Sequence, residues 1–257
     1  MNASDVVSLE KFGDQRWLRL AVSRLDVRFF LKGPKLNAGC GKALASRIAL
    51  SPLLGEASPL MAPKQVHGTT ILETTAGNTA PDIEADGILF DACDAGKLGL
   101  EASLRFADCA PVVVAPSSKW VEQSGTSWVL MMHSGYKGTV LNIVGAGVDN
   151  ARARYGASAV DGAWAWIGPC IGFPHYPRDR DEWTLRGLET FRGANVRNEG
   201  EKVFFDIAGE LKLQLIDAGI SEDSIFLSGI DTYERPDLCY SYRRGEREAR
   251  MFLWASV

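Results

Sequence analysis

Apolar residues fall in short runs separated by turn residues, and the runs have two different periods. Residues 17–22 and 27–31 are rich in β-branched and aromatic side chains and predict two strands near the N-terminus. A short helix over 41–50, carrying Arg47, is expected next, followed by strands at 64–66, 87–90, 98–105, 111–115 and 128–133. The runs VVV and WVLMM show no polar alternation, which predicts strands covered on both faces. Residues 137–155 change to a helical period, with Val140, Ile143, Val144 and Val148 on one side and Gly156 as a stop. A buried strand at 164–167, helices at 182–192 and 206–218, and strands at 224–227 and 251–255 complete the series. Asp206 suits the N-cap of its helix and Gly219 the position after its end. Trp166, Phe205, Met131 and Met132 read as core. Strands interspersed with helices, but adjacent to one another in the first half, indicate a mixed α/β fold rather than a regular βαβ series.

Composition narrows the class. The chain has 257 residues, 46% of them hydrophobic and 23% charged, with a net charge of −4. These proportions exclude disorder and a disulfide-dense miniature fold. The mildly acidic balance argues against a nucleic-acid partner. No apolar stretch is long enough to span a bilayer, and the first residues lack an apolar leader segment, so a cytoplasmic protein with no membrane partner is expected. The five cysteines are odd in number, widely spaced and without a CxxC pair, which suits free thiols in a reducing compartment.

Only three histidines occur, so their positions carry weight. His67 in KQVHG and His133 in MMHSGYKG stand where predicted strands give way to glycine-containing turns, and Cys109 in FADCAP stands at a similar break. Strand ends are where loops collect functional groups. Two imidazoles and a thiolate suit Zn²⁺ with an open fourth position. Spacings of 42 and 24 residues form no local motif, however, and buried structural His and Cys remain the competing reading. His175, between prolines, reads as a solvated loop residue. Asp108 could orient a metal ligand or a substrate amine, or serve as a turn cap, and Asp86 reads as a turn residue at a strand start. Arg47, Lys137, Arg243 and Arg244 could bind an anion such as phosphate, or form a solvated surface. The turn at 134–138 leads into a helix N-terminus, but the GxxxxGK[ST] order of a P-loop is absent.

Taken in order, KQVHG, ADGIL, FADCAPVVV, HSGYKGT, WIGPCIG and YSYRRGE resemble the laccase-domain family, from about Leu36 to the C-terminus. That family has also been called polyphenol oxidase, peptidoglycan editing factor and purine nucleoside phosphorylase. The resemblance implies a single compact α/β domain over residues 1–257, with mixed β-sheets layered between helices. It implies metal ligands at His67, Cys109 and His133, with Zn²⁺ as the ion and copper as the alternative. The implied activity is phosphorolysis of adenosine, inosine and methylthioadenosine, together with hydrolytic deamination of adenosine. The partners would then be small molecules, purine nucleosides and phosphate, and the protein a monomer or weak homo-oligomer. Arg47 and Asp108 join the expected catalytic set, and Asn37, Tyr136, Lys137, Arg243 and Arg244 the substrate-binding set.

The chain departs from the family pattern at several places. Tyr136 replaces the family's usual Trp, which affects purine stacking or core packing. CGKAL stands where Gly-Asp is expected, Ala249 replaces the glycine before Arg250, and Tyr176 is followed by PRD. Two other readings follow from the same residues: a Cys-His hydrolase with Cys109 as nucleophile, and a non-catalytic peptidoglycan-editing or binding factor with a structural metal.

Overall fold

The computed structural model of the chain describes residues 3–80 and 82–257; residues 1, 2 and 81 of the expected single domain lie outside the described residues. The two N-terminal strands form as Gln15–Leu20 and Asp26–Phe30. They belong to a six-stranded sheet in the order Val7–Phe12, Gln15–Leu20, Asp26–Phe30, Met251–Ser256, Glu101–Phe106, Leu60–Met61. All its pairs are antiparallel except the last. A second six-stranded sheet runs Ile225–Leu227, Trp164–Ile167, Ala110–Ala115, Trp128–Ser134, Gly87–Asp91, Ile71–Glu73. It is antiparallel in the middle and parallel at both edges.

The strands without polar alternation lie at the centre of this second sheet, and every residue of Ala110–Ala115 and Trp128–Ser134 is buried. Their side chains serve two cores. Val113, Val129, Met131 and Trp166 face the first sheet, where Phe29 meets Phe106 and Trp166 edge-on at centroid distances of 5.7 and 5.6 Å. Val112, Val114, Leu130 and Met132 face the helices Ile143–Tyr155 and Ile207–Asp217. The architecture is therefore sheet on sheet with helices over the outer face, a mixed α/β fold as expected. A small three-stranded sheet, Pro177–Arg178, Lys202–Phe205 and Val196–Glu199, lies beside the helical layer.

Three expected elements differ, each for a local reason. Residues 64–66 form only a single bridge, Lys64 to Glu84, because the backbone turns left-handed at His67. The run 98–105 is shared between the end of a helix, Ala92–Leu98, and the strand from Glu101, with Gly99 at φ +60° making the break. The helix over 137–155 is two helices, Tyr136–Val140 and Ile143–Tyr155. Asn142 adopts φ +58° between them, and its side chain caps the second by accepting from the Gly145 N–H. Asp206 and Gly219 cap Ile207–Asp217 as predicted. Trp166, Phe205, Met131 and Met132 are core.

Candidate metal centre

Residues 107–109 carry the chain from the end of Glu101–Phe106 in the first sheet to Ala110–Ala115 in the second. Cys109 is thus placed where the two sheets meet at one end. His133 pairs in register with Pro111 on the neighbouring strand. It shares the inward face of Val129 and Met131 and lies against Phe106, with ring centroids 5.4 Å apart. His67 comes from the turn before Ile71–Glu73, and its ring meets that of His133 at a centroid distance of 5.0 Å. Residues 42 and 24 positions apart in sequence converge because the turn before Ile71–Glu73, the link from Glu101–Phe106 to Ala110–Ala115 and the end of Trp128–Ser134 lie together.

Asp86 holds this arrangement. It is fully buried, and its carboxylate accepts the backbone N–H groups of Val66, His67 and Gly68 at 3.1, 2.9 and 2.7 Å. It also meets His133 Nδ1 at 2.8 Å. The three amides form an anion-binding nest, which offsets the cost of placing a non-glycine residue, His67, at φ +62°. With His133 donating Nδ1–H to Asp86, the other ring nitrogen, Nε2, is the one left to act as a ligand. Burial would push the Asp86 carboxyl up, but His133 and the amides outweigh it and hold it below the usual carboxylate range. Burial likewise raises the Cys109 thiol, and the His133 and His67 imidazoles more than reverse that, favouring the thiolate. His133 is driven the opposite way: burial disfavours its charge, while Cys109 and Asp86 together raise its proton affinity.

The donor set fits a metal ion. One ligand atom each from His67, Cys109 and His133 lies within 4.8 Å of the others. Cys109 Sγ stands 3.8 Å from His67 Nε2, close to the roughly 3.6 Å edge of a tetrahedron with Zn–S near 2.3 Å and Zn–N near 2.05 Å. Gly135 leaves the room needed: a Cβ there would lie 2.8 Å from both Cys109 Sγ and His67 Cδ2.

The cluster opens on a cleft of about 660 Å³, whose walls include Gln65, Arg105, Tyr176, Tyr242, Arg243 and Arg250. Asp108 lines it as well, and each of its carboxylate oxygens already holds one structural partner. They accept from the Thr232 hydroxyl at 2.6 Å and the Arg243 N–H at 2.8 Å. Asp108 therefore ties the C-terminal loop to the sheet junction beside Cys109.

The other expected site residues divide. Arg243 is at the cleft, with its guanidinium 4.6 Å from the Tyr176 ring centre. Arg47 is a correction: it has no exposed surface and forms a bidentate pair with Glu101, with further bonds to the Gly55 and Glu56 carbonyls. Glu101 begins the strand whose far end leads to Cys109, about 16 Å away, so Arg47 cannot reach a phosphate there. Arg244 is also a correction. It is consumed by the Thr232, Tyr233 and Cys239 carbonyls and by Glu246, and braces the C-terminal loop. Tyr136 is buried among Tyr176, Phe191 and Phe205, with its hydroxyl donating to the Trp183 carbonyl, so it packs the core instead of stacking on a ligand. Asn37 accepts from the Tyr240 hydroxyl and Lys137 lies over the Trp183 ring, both outside the cleft lining. His175 bonds Asp231 through Nδ1 at 2.7 Å and stacks on Tyr233, also outside it.

Asp86, Arg105, Tyr176 and Arg250 stand in the site without having been singled out for it from the sequence. Arg105 carried one signal, a lone charge within the otherwise apolar end of SLRF beside the ADC motif. Asp86 carried one as well, its place in the ADGIL motif, although its residue type and position alone read as a turn aspartate.

Residues 43–256 match the family described as multi-copper polyphenol oxidoreductase laccase. A purine nucleoside phosphorylase of Xylella fastidiosa is 27% identical over 193 residues, covering 73% of this chain and 68% of that protein. A purine nucleoside phosphorylase of Synechocystis is 30% identical over 207 residues, covering 70% and 73%. The crystal structure of the Bacillus licheniformis hypothetical protein YfiH superposes with a TM-score of 0.78 at 21% identity, over 97% of this chain and 98% of that one. Among the described residues no helix is long and apolar enough to cross a membrane.

Proposed function

The chain belongs to the multi-copper polyphenol oxidoreductase laccase family, and from that premise we propose that it is a zinc-dependent purine nucleoside phosphorylase with adenosine deaminase activity. The observation that carries this reading is the His67–Cys109–His133 group opening on a cleft of about 660 Å³. That volume is within the range of small-molecule sites. The chain has three histidines in all, so it offers one such group rather than a set of copper centres. A His₂Cys set takes copper as well as zinc, and metal analysis of the purified protein distinguishes them.

When bound, the ion supplies a Lewis acid that polarises an oxygen of substrate or water. The chain's own residues do the rest. Asp86 keeps His133 in one tautomer and fixes the backbone that presents His67, so the donors need little rearrangement. Tyr176 and Tyr242 line the cleft and offer aromatic faces to a purine, the part first expected of Tyr136. In phosphorolysis a phosphate oxygen bonds to the sugar's anomeric carbon as the bond to the purine nitrogen breaks, and the base leaves with a proton. In deamination water adds to the amino-bearing ring carbon and ammonia departs. Both reactions need the attacking oxygen positioned beside the same nucleoside.

The test is product analysis on adenosine, inosine and methylthioadenosine, with and without phosphate. Free base and a pentose 1-phosphate formed only with phosphate support phosphorolysis, and inosine with ammonia from adenosine supports deamination. No product from any purine nucleoside overturns the reading, and unchanged phosphorolysis in Cys109→Ala overturns its metal-centred form.

A second reading, a Cys-His hydrolase, has one observation in its favour: the Cys109 thiol is biased toward thiolate beside two imidazoles. A metal-loaded protein that resists thiol alkylation yet remains active on nucleosides excludes it.

A further inference from the structure

Among the described residues, three arginines line the cleft without a carboxylate partner, and two of them, Arg105 and Arg250, are close enough for their charges to interact. Arg105 sits opposite Phe252 in the antiparallel pairing of Glu101–Phe106 with Met251–Ser256. Arg250 lies just ahead of that strand, two residues before Phe252, and lines the same cleft wall as Arg105. Burial and the Arg250 charge both lower the proton affinity of Arg105, as expected of cations held close together. Their hydrogen bonds within the protein go to neutral acceptors. Arg105 donates to the Gln65 side-chain oxygen at 3.3 Å and the Pro63 carbonyl at 2.8 Å, and Arg250 to the Arg247 and Ala249 carbonyls at 2.9 Å each. Arg243 donates to the Pro177 carbonyl. Of the two carboxylates in the lining, Asp108 bonds Thr232 and the Arg243 backbone, and Glu248 lies exposed; among the described residues neither forms an ion pair with these arginine side chains.

Close like charges are unfavourable unless an anion joins them, and planar guanidinium groups with unspent N–H donors suit phosphate oxygens. We propose that Arg105 and Arg250 form a phosphate oxyanion site, with Arg243 at its rim, and that its occupant is inorganic phosphate. The inference rests on the phosphorolytic reading and assigns its second substrate a place. The location follows from Gln65. Its side chain exchanges hydrogen bonds with the Arg105 backbone at 2.9 Å in both directions, two residues before His67. The anion site is thereby anchored to the segment that presents His67. Gly41 completes the wall: at φ +69° it lies directly under the Glu248 carbonyl and the Arg250 side chain, where no Cβ fits.

The test measures phosphate binding by calorimetry, and the KM for phosphate in inosine phosphorolysis, for the metal-loaded protein and the variants Arg250→Met and Arg105→Met. Arg250→Met is the primary variant, since Arg105 also braces Pro63. Loss of one charge-assisted contact should weaken phosphate binding and raise its KM by about tenfold or more, with the nucleoside KM moving less than about twofold. Wild-type protein that binds phosphate as tightly as both variants overturns the site. A nucleoside 5′-monophosphate bound through Arg250 by protein that does not bind inorganic phosphate overturns the assignment of the occupant. Calorimetry needs no turnover, so absence of phosphorolysis with phosphate binding lost in the variants would sink the enzymatic reading and leave the anion site standing.

Discussion

Asp86 and His133 meet through a 2.8 Å hydrogen bond at Nδ1, and the same carboxylate accepts the His67 amide. One buried anion thus orients one proposed ligand by its ring and the other by its backbone. Asp86→Asn removes the charge and weakens the nest. It should lower metal affinity by about tenfold to a hundredfold, the usual cost of losing a partner to a metal-binding histidine. Competition with a chromophoric chelator measures it. An unchanged affinity would show that the two histidines are positioned by the strands alone.

Cys109 provides a chemical readout of the centre. In metal-free protein the imidazoles favour its thiolate, so alkylation should stay fast as the pH falls below the ordinary thiol value of about 8.5. Cys170 and Cys239 are buried, and burial pushes both thiols up, so they should label slowly. Adding one equivalent of zinc should protect Cys109 while leaving the exposed Cys40 and Cys93 reactive. Peptide mapping of iodoacetamide adducts across pH, with and without zinc, follows each thiol separately.

Gly135→Ala tests the space around the cluster. The added methyl would lie 2.8 Å from both Sγ of Cys109 and Cδ2 of His67. The backbone at Gly135 has φ −84°, which alanine adopts without strain. The expected outcome is loss of metal binding with thermal stability of the metal-free protein little changed, read by metal analysis and calorimetry. Retained stoichiometric metal would place the ion elsewhere.

Arg47 and Glu101 form a buried pair that Trp254 also joins, its indole N–H donating to Glu101 at 3.0 Å. Arg47→Met leaves the Glu101 charge unpaired and should cost about 3–5 kcal/mol of stability. Urea unfolding measures that loss. The kcat/KM of the remaining folded enzyme should stay within about twofold, because Arg47 is remote from the cleft. A large rise in the phosphate KM instead would return Arg47 to the site.

Much of the fold was legible because burial leaves its mark on local sequence. VVV and WVLMM read as strands covered on both sides, and they form the middle of the second sheet. The helix over 137–155 was read as continuous because its apolar period carries across Asn142, and one left-handed residue carries little compositional signal. Arg47 shows the opposite limit. An arginine destined for a buried ion pair and one destined for phosphate look alike until the partner is known, and Glu101 is 54 residues away.

The amino-acid sequence by itself determined which strands are buried at the centre of the second sheet, where the helix Ile207–Asp217 is capped, and which three soft donors stand apart from the rest. It could not determine that Asp86 joins two of them, that Tyr136 belongs to the core, or that Arg105 and Arg250 line one cleft together. Those relations depend on register between strands and on how two sheets meet. Such long-range geometry arises only when the cores pack, and no local pattern along the chain encodes it.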